Sequence, residues 1–303
     1  MKTLKLQLPA STSNCGPGFD TLSIALGLYN FAEVSERAAG EFTFYGDQGE
    51  SASAGADIMV REAAEAFFKR ADVEPHGLHV DLWGEIPLER GLGSSSTVRA
   101  AVVEALNRFH DEPLDLTGRI ALVSEMENAP DNACAVFRGG FCVSRTDPET
   151  GQYVDSFRFP VSEDLKFVVV CPDTRVKTVD ARKALPEKLP FGEVVQSLNS
   201  LAYLVAAFGR EKYERLRGAV IDHIHMPYRE GLNPYAREAI EAGIAAGAYT
   251  GWLSGSGSTV LCLTDGDHLV PVGQAMESVY RHNGIICQFH SVHADNSGLA
   301  VIS

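Results

Sequence analysis

The chain has no long apolar run, no paired cysteines and no surplus of positive charge, and each absence closes off a class of function. Without a stretch of about 18 uncharged apolar residues, no segment reads as a membrane-spanning helix. The first residues, Met1-Lys2-Thr3-Leu4-Lys5-Leu6, alternate polar and apolar side chains before reaching Pro9. That pattern reads as a first strand and not as a secretory leader, so a cytoplasmic location is expected. The six cysteines, Cys15, Cys134, Cys142, Cys171, Cys262 and Cys287, are scattered without a C-x-x-C spacing. Several sit in apolar runs such as 168–171 and 261–263, where free cysteine packs as a small hydrophobe, so they are expected to be reduced. The nine histidines form no H-E-x-x-H pattern. His223 and His225 are two apart and cannot share one helical face, so no histidine metal site is expected. Acidic residues outnumber basic ones 40 to 26, a net charge of −14. That balance disfavours general nucleic-acid binding, and a small anionic ligand would need a local cluster of amides and basic side chains.

The 303 residues suffice for two domains and for a core that needs neither disulfides nor a structural metal. Strands are expected over 3–8, 41–45 and 78–83, with a helix from about 57 to 70 that Asp57 would cap. The clearest helix runs from Ser95 to His110, where Val98, Ala101, Val102, Ala105, Leu106 and Phe109 recur at helical spacing. Another starts at Thr117, its expected cap, and runs toward Glu127. Near Pro160 a polar Ser162-Glu163-Asp164 turn opens into the buried-strand run 167–171, which places a domain boundary there. Beyond it, helices are expected near 194–208, 211–224 and 234–246, and strands over 259–263 and 285–292. Strands and helices mixed without regular alternation indicate an α+β fold with two layers per domain.

Three segments concentrate the residues that carry chemistry. Residues 87–97, from Pro87 through Gly91-Leu92-Gly93-Ser94-Ser95-Ser96 to Thr97, run straight into the strong helix. Glycines admit positive φ and close approach, and consecutive amides at a helix N-terminus hold phosphate. A serine-capped turn would need only part of that pattern, and no Gly-Lys-Ser/Thr is present, so this is not a Walker A loop. Residues 9–20 follow the first strand and include Asn14 and Asp20, which could hold a polar substrate or simply bond their own backbone. Residues 251–260 are small side chains opening into a strand, suited to a tight crossover or to the approach of a phosphate.

In this order the three segments resemble the motifs of the GHMP kinases, and within that family the homoserine-phosphorylating branch most. The resemblance covers nearly the whole chain. It implies a two-domain fold, with residues 1–160 like the second domain of ribosomal protein S5 and residues 161–303 ferredoxin-like. It implies transfer of phosphate from ATP, with Mg2+, to the side-chain hydroxyl of L-homoserine in threonine biosynthesis, and a possible homodimer. By the same resemblance Gly91 to Thr97 and Pro87 would bind ATP. Ser95 and Glu127 would bind the magnesium ion, with Glu125 next in line if the register slips. Asn14, Asp20, Asn132, Thr178, Arg182 and Arg229 would hold the substrate, Asp20 on its ammonium and the two arginines on its carboxylate. Asn132 and Arg182 would also act in catalysis. Two guanidinium forks suit a carboxylate, and a loose phosphoryl-transfer transition state needs positioning more than a strong base.

Three positions depart from the family pattern. Ala129 stands where a histidine beside the substrate is usual, which opens the reading to another small hydroxylated carboxylate. Asp57 stands where an asparagine usually meets adenine, and Ser258 where a proline follows the third motif. A protein of the same fold that senses nucleotide or amino acid without turnover is the alternative of a different class.

Overall fold

The computed structural model describes residues 1–46 and 50–302. The first domain is built on a seven-stranded sheet. Its spine is β2 (Leu22–Arg37), which pairs antiparallel with β1 (Thr3–Ser13) along nearly its whole length. On its other side, β2 pairs β4 (Gly77–Gly84) through residues 30–37 and β5 (Phe141–Thr146) through residues 22–24. β3 (Phe42–Gly46) adds to β4 in parallel, and β6 (Tyr153–Phe159) to β5. Helices α1 (Glu50–Ala71), α2 (Ser94–Phe109), α3 (Leu116–Glu127) and α4 (Asp131–Arg138) supply the other layer. Leu6, Leu8, Val34 and Val80 from the strands meet Val60, Phe67, Val98, Val102 and Val123 from the helices in one apolar core.

The second domain begins with β7 (Lys166–Pro172), followed by α5 (Thr178–Lys183), α6 (Phe191–Gly209), α7 (Met226–Arg229) and α8 (Ala236–Ala245). The hairpin of β8 (Thr250–Leu253) and β9 (Val260–Thr264) comes next, then α9 (Leu269–His282) and β10 (Cys287–Val292). The sheet order is β10-β7-β9-β8, all antiparallel, which numbers as 4-1-3-2 and is the ferredoxin-like arrangement expected. A second core joins the domains: Leu22, Ile24 and Phe141 pack with Phe167, Val169, Phe208, Trp252 and Leu261.

Several expectations need correction. Residue 160 does fall between the two sheets, but the last strand, β11 (Ala300–Ile302), returns to pair with β1 in the first one. Helix α1 begins at Glu50, so Asp57 lies inside it and caps nothing. Asp115, not Thr117, caps α3, accepting from the amide of Gly118 at 2.7 Å. The charged helix expected over 211–224 is only a short 3-10 turn, Tyr213–Leu216, because Gly218 takes φ +65° and stops the winding. Among the described residues no helix is long and apolar enough to cross a membrane.

Candidate active site

A cavity of about 640 Å3 opens between the domains, and all three motif segments contribute to its wall. The segments reach it because they are tied to each other by small hydroxyls. The Ser254 hydroxyl donates to the Gly91 carbonyl (2.7 Å) and lies 2.9 Å from Thr12 Oγ1, and Thr12 accepts from the Trp252 indole. The Ser11 amide donates to the Leu92 carbonyl, and its hydroxyl donates to Asn132 Oδ1 at 2.8 Å. These contacts leave no room for side chains at the glycines. A Cβ on Gly91 would sit 2.1 Å from the Ser254 carbonyl oxygen, and one on Gly93 would sit 2.1 Å from Ser11 Oγ.

Gly93, at φ +74°, starts α2 without any side-chain cap. The first amides of a helix have no partner within it, so these point their partial positive charge at the cavity mouth. Ser94 and Ser95 line the cavity with them. Ser96 and Thr97 do not: both are fully buried, and Thr97 is engaged by Asn30 and by the Ser94 carbonyl. Pro87 is outside the lining residues as well, one residue before Leu88. Asp57 is also kept out of the cavity, held by Arg61 at 2.9 Å, while Gly55, Ala56 and Met59 of the same helix line it.

Ser95 and Glu127, the two residues expected to hold magnesium, lie together in the structure. Ser95 Oγ donates to Glu127 Oε2 at 3.0 Å, and Arg99 holds the other carboxylate oxygen. Glu125 faces elsewhere, gripped by Arg70 at 2.7 and 2.8 Å. A carboxylate and a hydroxyl within one ligand's reach are the hard oxygen donors that magnesium accepts.

The residues expected to hold the substrate are more interlocked than the sequence suggested. Arg182 grips Asp20 with both nitrogens, at 2.9 and 3.0 Å. Burial pulls the Arg182 guanidinium down, but Asp20, Asp131 and Glu127 outweigh that and leave its pKa raised. Asn14 accepts from the Asp20 amide and donates to the Gly255 carbonyl, so it sets the position of Asp20 and locks the first motif to the third. Thr178, at the start of α5, lines the cavity from an exposed position. Arg229 is only 2% exposed and makes no ion pair among the described residues. It donates to the carbonyls of Ala181 and Gly255 instead. Burial, then the charge of Arg182, lowers its pKa to about 10, which still leaves it a cation. Both guanidiniums lie over the Phe19 ring, Arg182 at 5.5 Å and Arg229 at 5.2 Å from its centre.

Reading the residues overlooked Asp131. Its carboxyl is 2% exposed, lines the cavity, and is pushed up to about 7, chiefly by burial and then by the charge of Asp20. Its place beside Asn132 was visible, but burial is not a property of the letters. Lys177 and Arg175, also in the cavity wall, were equally overlooked.

Comparison with known proteins identifies the family. Residues 58–140 match the GHMP kinases N terminal domain and residues 204–282 the GHMP kinases C terminal domain. The homoserine kinase of Carboxydothermus hydrogenoformans is 35% identical over 279 residues, covering 92% of this chain and 90% of its own length. That of Caldanaerobacter subterraneus is 33% identical over 300 residues, covering 99% and 95%. The crystal structure of homoserine kinase from Cytophaga hutchinsonii has the same fold, with a TM-score of 0.87 at 24% identity over 100% of this chain and 98% of the other. Galactokinase from Lactococcus lactis shares that fold at a TM-score of 0.70 and 13% identity, over 99% and 95% of the two chains. The chain is a member of the GHMP kinase family, in its homoserine kinase branch.

Proposed function

We propose that this protein transfers the γ-phosphoryl group of ATP to the side-chain hydroxyl of L-homoserine. The observation that carries the reading is Arg229, a buried guanidinium without a carboxylate partner, facing the same cavity as the uncapped start of α2. A buried cation of this kind is costly unless an anion arrives to meet it. The cavity therefore has one anion site for phosphates and another for a substrate carboxylate, with the acidic Asp20 and Asp131 beside the latter for an ammonium group.

Each residue then has a task. The amides after Gly93 hold the phosphates. Ser95 and Glu127 would hold Mg2+, which neutralises charge on the transferred group. Asn132 has its Oδ1 fixed by Ser11, which leaves its amide hydrogens to orient the substrate hydroxyl. Arg182 and Arg229 hold the carboxylate, and Thr178 closes over it from α5. Because the transition state is loose, this alignment supplies most of the rate, and no strong base is required.

The test is ADP release by the purified protein with ATP, Mg2+ and each of homoserine, threonine, mevalonate and galactose. Turnover should be greatest with homoserine. Preference for a bulkier hydroxy acid would shift the substrate assignment toward the room left at Ala129. ATP binding without turnover of any of the four would favour a sensor.

A further inference from the structure

His225 is completely buried and touches three parts of the substrate site. Its Nε2 lies 3.0 Å from the Gly16 carbonyl oxygen and 3.2 Å from the Asp222 carboxylate. Its Nδ1 lies 3.3 Å from Nη1 of Arg229, one helical turn later. The ring packs 5.6 Å from Phe19, the aromatic residue that both arginines cover.

These partners determine the tautomer. A carbonyl and a carboxylate can only accept, so Nε2 must carry the hydrogen. A guanidinium can only donate, so Nδ1 must be bare. A protonated ring would point an N–H at the guanidinium, and a flipped tautomer would break the bonds at both nitrogens. Burial and Arg229 favour the neutral ring, against the pull of Asp222. Asp222 is itself fixed, accepting from the amides of Ile224 and Met226 at 2.7 and 2.9 Å. Arg229 is thus held through Nε by Ala181 and through Nη1 by Gly255 and His225. Nη2 takes no partner among the described residues.

We propose that His225 is a positioning residue, a neutral acceptor that fixes the Arg229 guanidinium for the substrate carboxylate and ties it to the first motif through Gly16. The proposal deepens the kinase reading given above and rests on it. Without the Nδ1 acceptor, the guanidinium could turn toward Asp222 or Asp20 and lose its aim.

Two conservative variants separate the two nitrogens. The Asn in His225→Asn places an oxygen near Nδ1 and keeps the acceptor, whereas the Gln in His225→Gln places an amide near Nε2 and keeps the donor. His225→Gln should raise KM for homoserine roughly tenfold to a hundredfold, the worth of one hydrogen bond to a charged group, with KM for ATP unchanged. His225→Asn should recover most of that loss. With 3-aminopropan-1-ol, which lacks the carboxylate, both variants should match the wild type. A homoserine KM unchanged in His225→Gln, or an equal loss with 3-aminopropan-1-ol, would overturn the proposal. Long-range proton–nitrogen correlation on the wild-type protein tests it without any variant: a neutral Nε2–H ring at pH 7 is expected, and an imidazolium or Nδ1–H tautomer would refute it. If wild type fails to turn over homoserine at all, the kinase reading falls, and the tautomer measurement still decides the state of His225.

Discussion

At the scale of single residues, the site's chemistry depends on groups whose charge is set by burial. Asp131 is the clearest. Its folded pKa of about 7 lies above the 3.8 of an exposed carboxyl, so the folded protein keeps a proton that the unfolded chain gives up. The contribution of this group to stability is therefore full below about pH 4 and lost as pH rises to about 7. The same proton should report substrate binding. An ammonium group arriving beside Asp131 favours its ionised form, so binding near pH 7 should release about half a proton. Calorimetry in buffers of differing ionisation enthalpy should show this release growing toward pH 6, fading by pH 8, and vanishing in Asp131→Asn. Proton uptake, or none at pH 6, would remove Asp131 from the ammonium site. Glycines, serines and the two arginines were legible as letters because their chemistry needs those residue types. Asp131 and His225 were not, since what matters in them is seclusion and partners far away in sequence.

At the scale of elements, legibility followed periodicity. Helix α2 was found to within a residue at each end because its apolar face repeats without interruption. Helix α9 was missed, since Pro271 in its first turn reads as a breaker although a proline there costs no hydrogen bond. The sixteen-residue β2 was missed for another reason: its first five residues are buried on both faces, so the alternation that marks a strand is absent where it begins. The junction of the second motif with α2 yields a prediction. Gly93→Ala must place a methyl against Ser11 Oγ at a positive φ, a conformation that costs about 1–2 kcal/mol for a residue with a side chain. Displacing Ser11 also frees Asn132, its hydrogen-bond partner. The variant should raise KM for ATP and lower kcat by at least about tenfold, while thermal unfolding moves by only a few degrees. A large fall in melting temperature with normal kinetics in the surviving protein would make Gly93 a folding residue alone.

For the whole molecule, the question is how a chain of net charge −14 attracts ATP. The far field repels it, but fields beyond about 10 Å are screened at 0.1 M salt, so the charges at the cavity mouth decide. Beside the glycine-serine bend the balance is cationic, three basic side chains against Glu89. Arg90, Arg175 and Lys177 line the wall beside the glycine-serine bend, and the Val176 amide bonds the Glu89 carbonyl, which fastens this basic segment to the phosphate loop. Arg90 is paired with Asp173 and Arg175 lies 3.9 Å from Glu89, while Lys177 has no acidic partner among the described residues. Lys177 is therefore the charge least compensated by the protein and most available to a phosphate. If local attraction dominates, KM for ATP should rise as sodium chloride is raised from about 50 to 300 mM, against the sign that the net charge alone would give. Lys177→Gln should raise that KM several-fold at low salt and flatten its salt dependence, leaving KM for homoserine nearly unchanged. A KM for ATP that falls with added salt in the wild type would mean that the far field governs capture and that the basic wall serves only to position what has already arrived.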